Sequence, residues 1–98
     1  MGGNEVRLSA RVIARETLRH TPAGIPILVL TLRHESRQVE GGMPRQVEFE
    51  IEAMAVGELA QSMNSVEAGT AVQVTGFLAS RSRLSSRVVL HVNEFEIE

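Results

Sequence analysis

The 98-residue chain contains no cysteine, no tryptophan and no tyrosine. Lysine and aspartate are missing too, so its ten cations are all arginine and its twelve acids all glutamate. Without thiols there is no disulfide framework, no thiolate metal site and no cysteine nucleophile. The histidines, His20, His34 and His91, are scattered without ligand spacing, and no base stands near Ser82, Ser85 or Ser86. No catalytic residue, metal ligand or cofactor is therefore assigned. The glycine pair Gly41-Gly42 is not followed by Lys-Ser or by a helical pattern, which excludes a glycine-rich phosphate-binding loop. No apolar run approaches the ~18 residues of a membrane span. The opening "MGGNEVRLSA" has no basic segment followed by an apolar one, so no secretory signal is visible and the chain reads as cytoplasmic.

What is present is an ordinary globular composition, 43% hydrophobic and 22% charged, long enough for a single domain over residues 1–98. A core of this size is modest, and self-association would add to it. Period-two alternation dominates. Val6, Leu8, Ala10 and Val12 alternate with Arg7, Ser9 and Arg11, a strand with one apolar face. After the turn "RHTPAGIP", the run "ILVLTLRHES" is apolar on both sides, as in a strand of a closed barrel or of a dimer. "RQVEGGMP" reads as a long mobile loop. "RQVEFEIEAMAV" then sets Val47, Phe49, Ile51 and Ala53 against the acidic row Glu48, Glu50 and Glu52. Those three carboxylates read as a solvated face, not a metal site.

Helical spacing occurs once, where Leu59, Met63 and Val66 predict a short helix over Gly57–Asn64. Gly69 is expected at positive φ in the following turn. Gly76, inside the fourth strand, predicts a bulge or a barrel corner. In the last strand Val88, Leu90 and Val92 differ in parity from Phe95 and Ile97, which a bulge near Asn93 reconciles. The expected fold is all-β: a five-stranded OB-fold Greek-key barrel with one short helix between strands 3 and 4. A six-stranded sandwich competes, but no sixth strand is evident. The three phenylalanines, Phe49, Phe77 and Phe95, are expected in the core.

With a net charge of −2, any nucleic-acid binding must come from a local patch. Genomic base composition accounts for the all-arginine usage more simply than recognition does. The distribution is more telling. No acid occurs from Ala68 to Asn93, while "FLASRSRLSSRVVLHV" carries Arg81, Arg83 and Arg87. In an OB barrel this is the loop between the last two strands, one of two that line the ligand face; by composition alone it reads equally as an ordinary exposed hairpin that its serines and arginines keep solvated. An extended β-ribbon finger there would aim Arg81 and Arg83 to one side. With no Trp or Tyr to stack on bases, binding would lean on phosphates and be strongly salt-sensitive.

The run "RLSARVIARETLRHTPAGIPILVLTLRHES", with "RQVEFEI", "VTGF" and "VVLHV" following in order, resembles the family of primosomal replication protein N, PriB. The resemblance covers nearly the whole chain. It implies an OB-fold homodimer built largely through the first-strand region and related to bacterial single-stranded DNA-binding protein. It also implies no enzymatic activity, single-stranded DNA as ligand, and the restart helicase PriA, in some members also DnaT, as partner. By position, the family's basic residues fall on Arg81, Arg83, Arg87 and Arg19, and a second-loop aromatic falls near Met43. Arg33, Arg37 and Arg45 are the neighbouring cations. Two positions depart: the third-strand stacking aromatic is Glu48, and a basic residue after "LRH" is Glu35. These departures motivate an alternative, a protein-interaction adaptor on an OB fold with largely lost DNA binding.

Overall fold

The computed structural model describes residues 2–98. Six strands and one helix follow in the order β1 (Val6–Arg15), β2 (Arg19–His20), β3 (Pro26–Glu40), β4 (Met43–Val56), α1 (Glu58–Met63), β5 (Ala71–Ser80) and β6 (Val88–Ile97). Five of them close a barrel: β1 pairs with β5, β5 with β6, β6 with β4, β4 with β3, and β3 with β1 again. All pairings are antiparallel except β4 with β6. This is the OB barrel expected from the pattern of elements. The helix lies between β4 and β5 and not between strands 3 and 4. The difference arises because Arg19 and His20 add a two-residue strand to β3; among the five barrel strands the helix still follows the third.

Closure depends on β1 serving two neighbours. Val6–Arg11 pair with β5, and Arg11–Arg15 pair with β3. The register slips between Val12 and Ala14, so Ile13 is the extra residue that bends the strand from one partner to the other. The interior then fills with Val12, Leu28, Leu30, Leu32, Ala53, Val72, Val74 and Leu90. Helix α1 is only six residues long, too short to persist by itself. It is held by burying Ala60 and Met63 against the barrel, and burial of a side chain the size of Met is worth about 1.5–3 kcal/mol. Gly57, at φ 78°, supplies its N-terminal turn without a side-chain cap.

The predicted bulge is present. Thr75 pairs with Glu94 and Gly76 with Val92, which leaves Asn93 unopposed. Gly76 is required there, because a Cβ on it would stand 1.8 Å from the carbonyl oxygen of His91. Gly69 adopts φ 93°, as its turn demanded.

The second loop is a correction. "RQVEGGMP" is not long or mobile: β3 and β4 form a continuous ladder from Ile27–Val56 out to Glu40–Met43. Gly41 (φ 58°) and Gly42 (φ 78°) are its two turn residues. Positive φ at both matches the twist of the flanking strands, as in a type I′ hairpin. Beyond Arg33 the ladder has left β1, and Glu35–Glu40 project about 20 Å at roughly 3.4 Å per residue.

Gly76→Ala is expected to destabilise the fold by at least about 3 kcal/mol, since the clash is with backbone and no side chain can move aside. Urea unfolding followed by circular dichroism measures the loss; a change below 1 kcal/mol, on the order of an ordinary surface substitution, would show that the close approach is not needed.

Candidate nucleic-acid interface

The two loops that flank the outer face of β3 and β4 are both tightly held. In "TPAGIP", Thr21 accepts the Gly24 amide on its carbonyl at 2.8 Å and the Ile25 amide on its hydroxyl at 3.1 Å, with Gly24 at φ 84°. This turn presses β2 onto β3 and sets Arg19 opposite Ile27. The loop between β5 and β6 closes on itself. The Arg81 amide donates to the Arg87 carbonyl at 2.9 Å, the Ser85 amide to the Ser82 carbonyl at 3.2 Å, and the Arg87 amide to the Ser85 hydroxyl at 3.1 Å. It is therefore a compact turn and not an extended finger, so the extended backbone on which Arg81 and Arg83 were expected to share a side is absent. Its serines serve as turn formers, and Leu84 stands fully exposed at its tip.

Three of the expected arginines come together. Arg19 and Arg81 line a cleft of 340 Å³ over Val29, Met54 and His91. Arg87 lines an adjoining cleft of 490 Å³ over Val29 and Thr31. Both clefts carry the exposed Glu16, and both share Glu52. Its side chain is only 20% exposed, and Oε2 lies 3.5 Å from Nη1 of Arg81. That contact is an ion pair without hydrogen-bond alignment, so Oε2 is buried with no hydrogen-bond donor among the described residues. Arg83 lines neither cleft.

The remaining expected residues lie along the projecting hairpin. Its ladder places Arg33 opposite Glu50, Glu35 opposite Glu48, and Arg37 opposite Gln46. Directly opposed carboxylates repel, and Arg33 offsets this by contacting Glu35 at 3.2 Å, Glu48 at 3.5 Å and Glu50 at 3.9 Å. Arg45 pairs with Glu40 at 2.6 Å. Arg33 and Arg45 thus already have anionic neighbours. Met43 is largely exposed at the hairpin tip, and Arg37 makes no ion pair among the described residues.

The phenylalanines divide. Phe95 packs against the core as expected. Phe49 and Phe77 do not, being 37% and 38% exposed. Phe49 is on the inward side of β4 but beyond the point where β1 departs, and its ring lies 5.0 Å from that of His34. Phe77 points outward because Gly76 takes the inward position, and it stacks on His91 at 5.0 Å and 4°. His34 is a structural residue: Nδ1 meets the Ser9 carbonyl at 2.6 Å and Nε2 the Ser36 hydroxyl at 2.7 Å, which ties the hairpin base to β1. Another tie had no sequence signal. The Asn4 side chain donates to the Leu78 carbonyl at 2.7 Å and accepts its amide at 2.9 Å, so that a side-chain amide replaces a missing strand neighbour. The near-burial of Glu52 within the clefts had no sequence signal; for the outward Phe77, the inward Gly76 was the available clue.

The closed five-stranded barrel with its single helix is that of an OB-fold protein. The family described as "another single-strand binding protein family" matches residues 4–94. The replication restart protein PriB of Bordetella pertussis is 48% identical over 91 residues, which span 93% of this chain and 85% of that protein. The PriB of Nitrosomonas europaea is 40% identical over 94 residues, 96% of this chain and 87% of that one. The crystal structure of PriB from Ralstonia solanacearum superposes with a TM-score of 0.89 at 35% identity, covering 99% of both chains. The chain belongs to the PriB family of replication restart proteins.

Arg33→Ala should leave Glu35 and Glu48 opposed without a cation and lower stability by about 0.5–1 kcal/mol at low ionic strength. Thermal melts across a salt series test this: the deficit should shrink as salt rises, and a deficit independent of salt would assign the loss to packing of the side-chain stem.

Proposed function

We propose that this chain is a non-catalytic replication-restart protein of the cytoplasm that binds single-stranded DNA across the outer face of β3 and β4. The observation that carries the reading is the convergence of Arg19, Arg81 and Arg87, from two separate loops, on one face of an OB barrel. Guanidinium groups fork onto phosphate oxygens, so these three hold the backbone. Arg83 joins from the loop, while Arg37 and Met43 extend the track along the hairpin. Arg33 and Arg45 contribute less because carboxylates already engage them. The family relationship supports a symmetric homodimer, which light scattering reads directly, and docking onto the restart helicase PriA, with DnaT where the host carries it.

Phosphate-led binding predicts a steep salt dependence, with a log–log slope near −0.7 per contact on single strands. In anisotropy titrations with labelled oligo-dT, the combined Arg19→Ala/Arg81→Ala/Arg87→Ala chain should lose roughly 2 from the magnitude of that slope. Affinity and slope equal to those of the wild type would remove DNA from this face.

The collar of Glu35, Glu48 and Glu50 around Arg33 favours a second reading, an adaptor with little DNA binding whose main ligand is the helicase. The two separate in a pull-down with purified PriA run beside the DNA titration. Negligible oligo-dT binding with a stable helicase complex selects the adaptor; no complex eliminates it. Under the DNA reading, Glu48→Gln removes a repelling carboxylate and loosens the hold on Arg33. It should tighten oligo-dT binding about 2- to 3-fold at low salt, with no gain in high salt.

A further inference from the structure

A row of side chains crosses the outer face of the barrel at right angles to the strands. Val29 pairs with Met54, Met54 with His91, and His91 with Phe77. The four positions span β3, β4, β6 and β5. One face of the His91 ring is covered by Phe77, parallel to it within 4°. On its other side the cross-strand neighbour is the flexible Met54, and His91 lines the cleft that Val29 and Met54 floor. A parallel ring pair that ends at a cleft is an unfinished stack.

The charges around this cleft have a polarity. Arg19 and Arg81 come from the two flanking segments and the exposed Glu16 also lines the cleft, while Glu52 lies within it at 20% side-chain exposure. A ligand with a flat neutral body and an anionic link is oriented by that arrangement. The link is drawn to the guanidinium groups and kept from the interior by the carboxylate. A nucleotide unit of single-stranded DNA has that form, and a base is a π-surface that continues a ring stack whatever its identity.

We infer that the His91–Phe77 pair is a nucleobase platform: one unstacked base enters the cleft beside Met54 and stacks on His91, while Arg19 and Arg81 hold the adjoining phosphates. The inference rests on the single-stranded DNA reading given above and adds to it a base contact in a chain that has no Trp or Tyr. It also gives a role to a phenylalanine that the core does not use.

The test separates ring from charge. Binding is compared between oligo-dT and an equally long strand of abasic phosphodiester units. Wild type should prefer oligo-dT by about 5- to 150-fold, the value of one stacked base. His91→Gln keeps a polar side chain without the ring and should erase most of that preference, leaving abasic binding and the salt slope unchanged. His91→Phe restores the ring and should retain the preference. Phe77→Leu, which keeps volume but not the ring, should reduce it, so the proposal does not depend on one variant folding; circular dichroism melts check each. His91→Gln with an undiminished preference, or with an equal loss on both strands, overturns the platform. A wild-type chain that binds neither strand overturns the single-stranded DNA reading beneath it.

Discussion

The outer surface of the molecule is set by the contact between Gly76 and the backbone at His91. With only a hydrogen where a Cβ would stand 1.8 Å from the His91 carbonyl oxygen, β5 and β6 come close enough to absorb Asn93 as a bulge. The bulge fixes which residues of β6 turn inward. Leu90 and Val92 enter the core, His91 goes outside, and beyond the slip Phe95 returns to the core. On β5 the same contact makes Gly76 the inward residue and Phe77 an outward one. The side chains available to a ligand on this part of the barrel are therefore a consequence of one missing methyl group.

Charge is distributed by a second constraint, the strict alternation of β4. Putting Val47, Phe49, Ile51 and Ala53 on one side forces Glu48, Glu50 and Glu52 onto the other. These carboxylates then meet arginines from two places: Arg33 on β3 and Arg81 from the loop between β5 and β6. Exposed pairs of this kind are individually weak. A polyanion need only outbid single carboxylates for Arg81, whereas Arg33 has three anionic neighbours within 4 Å. The loop end of the face is thus more open to phosphate than the hairpin end.

Strand pattern, the barrel, the helix and both glycine-dependent features at Gly69 and Gly76 were legible in the sequence, because periodicity and local backbone sterics need no knowledge of distant neighbours. The resemblance to the PriB family was legible in short motifs such as "TPAGIP" and "LRHES". The hairpin was misread because two adjacent glycines signal flexibility and a type I′ turn equally well; only the partner strand decides. Phe49 and Phe77 were misread for another reason. Each stands in a strand of apolar character, but burial depends on where the barrel wall ends and on which residue occupies the bulge. The loop from Arg81 to Arg87 needed its own hydrogen bonds to be known before an extended finger could be dismissed.

The projecting hairpin leaves β3 with an open side from Glu35 to Glu40, since β1 pairs with it only as far as Arg33. A row of unpaired peptide groups on a long flat ribbon invites another chain to add a strand, the first step toward amyloid-like stacking. Here that border is written with Glu35, Arg37 and Glu40, and the turn beyond it with two glycines. Charge of both signs at every second or third step makes a register-shifted or stacked copy meet like charges. The same polar hairpin that carries the outlying cations thereby guards the solubility of a protein whose sheet has an unfinished margin.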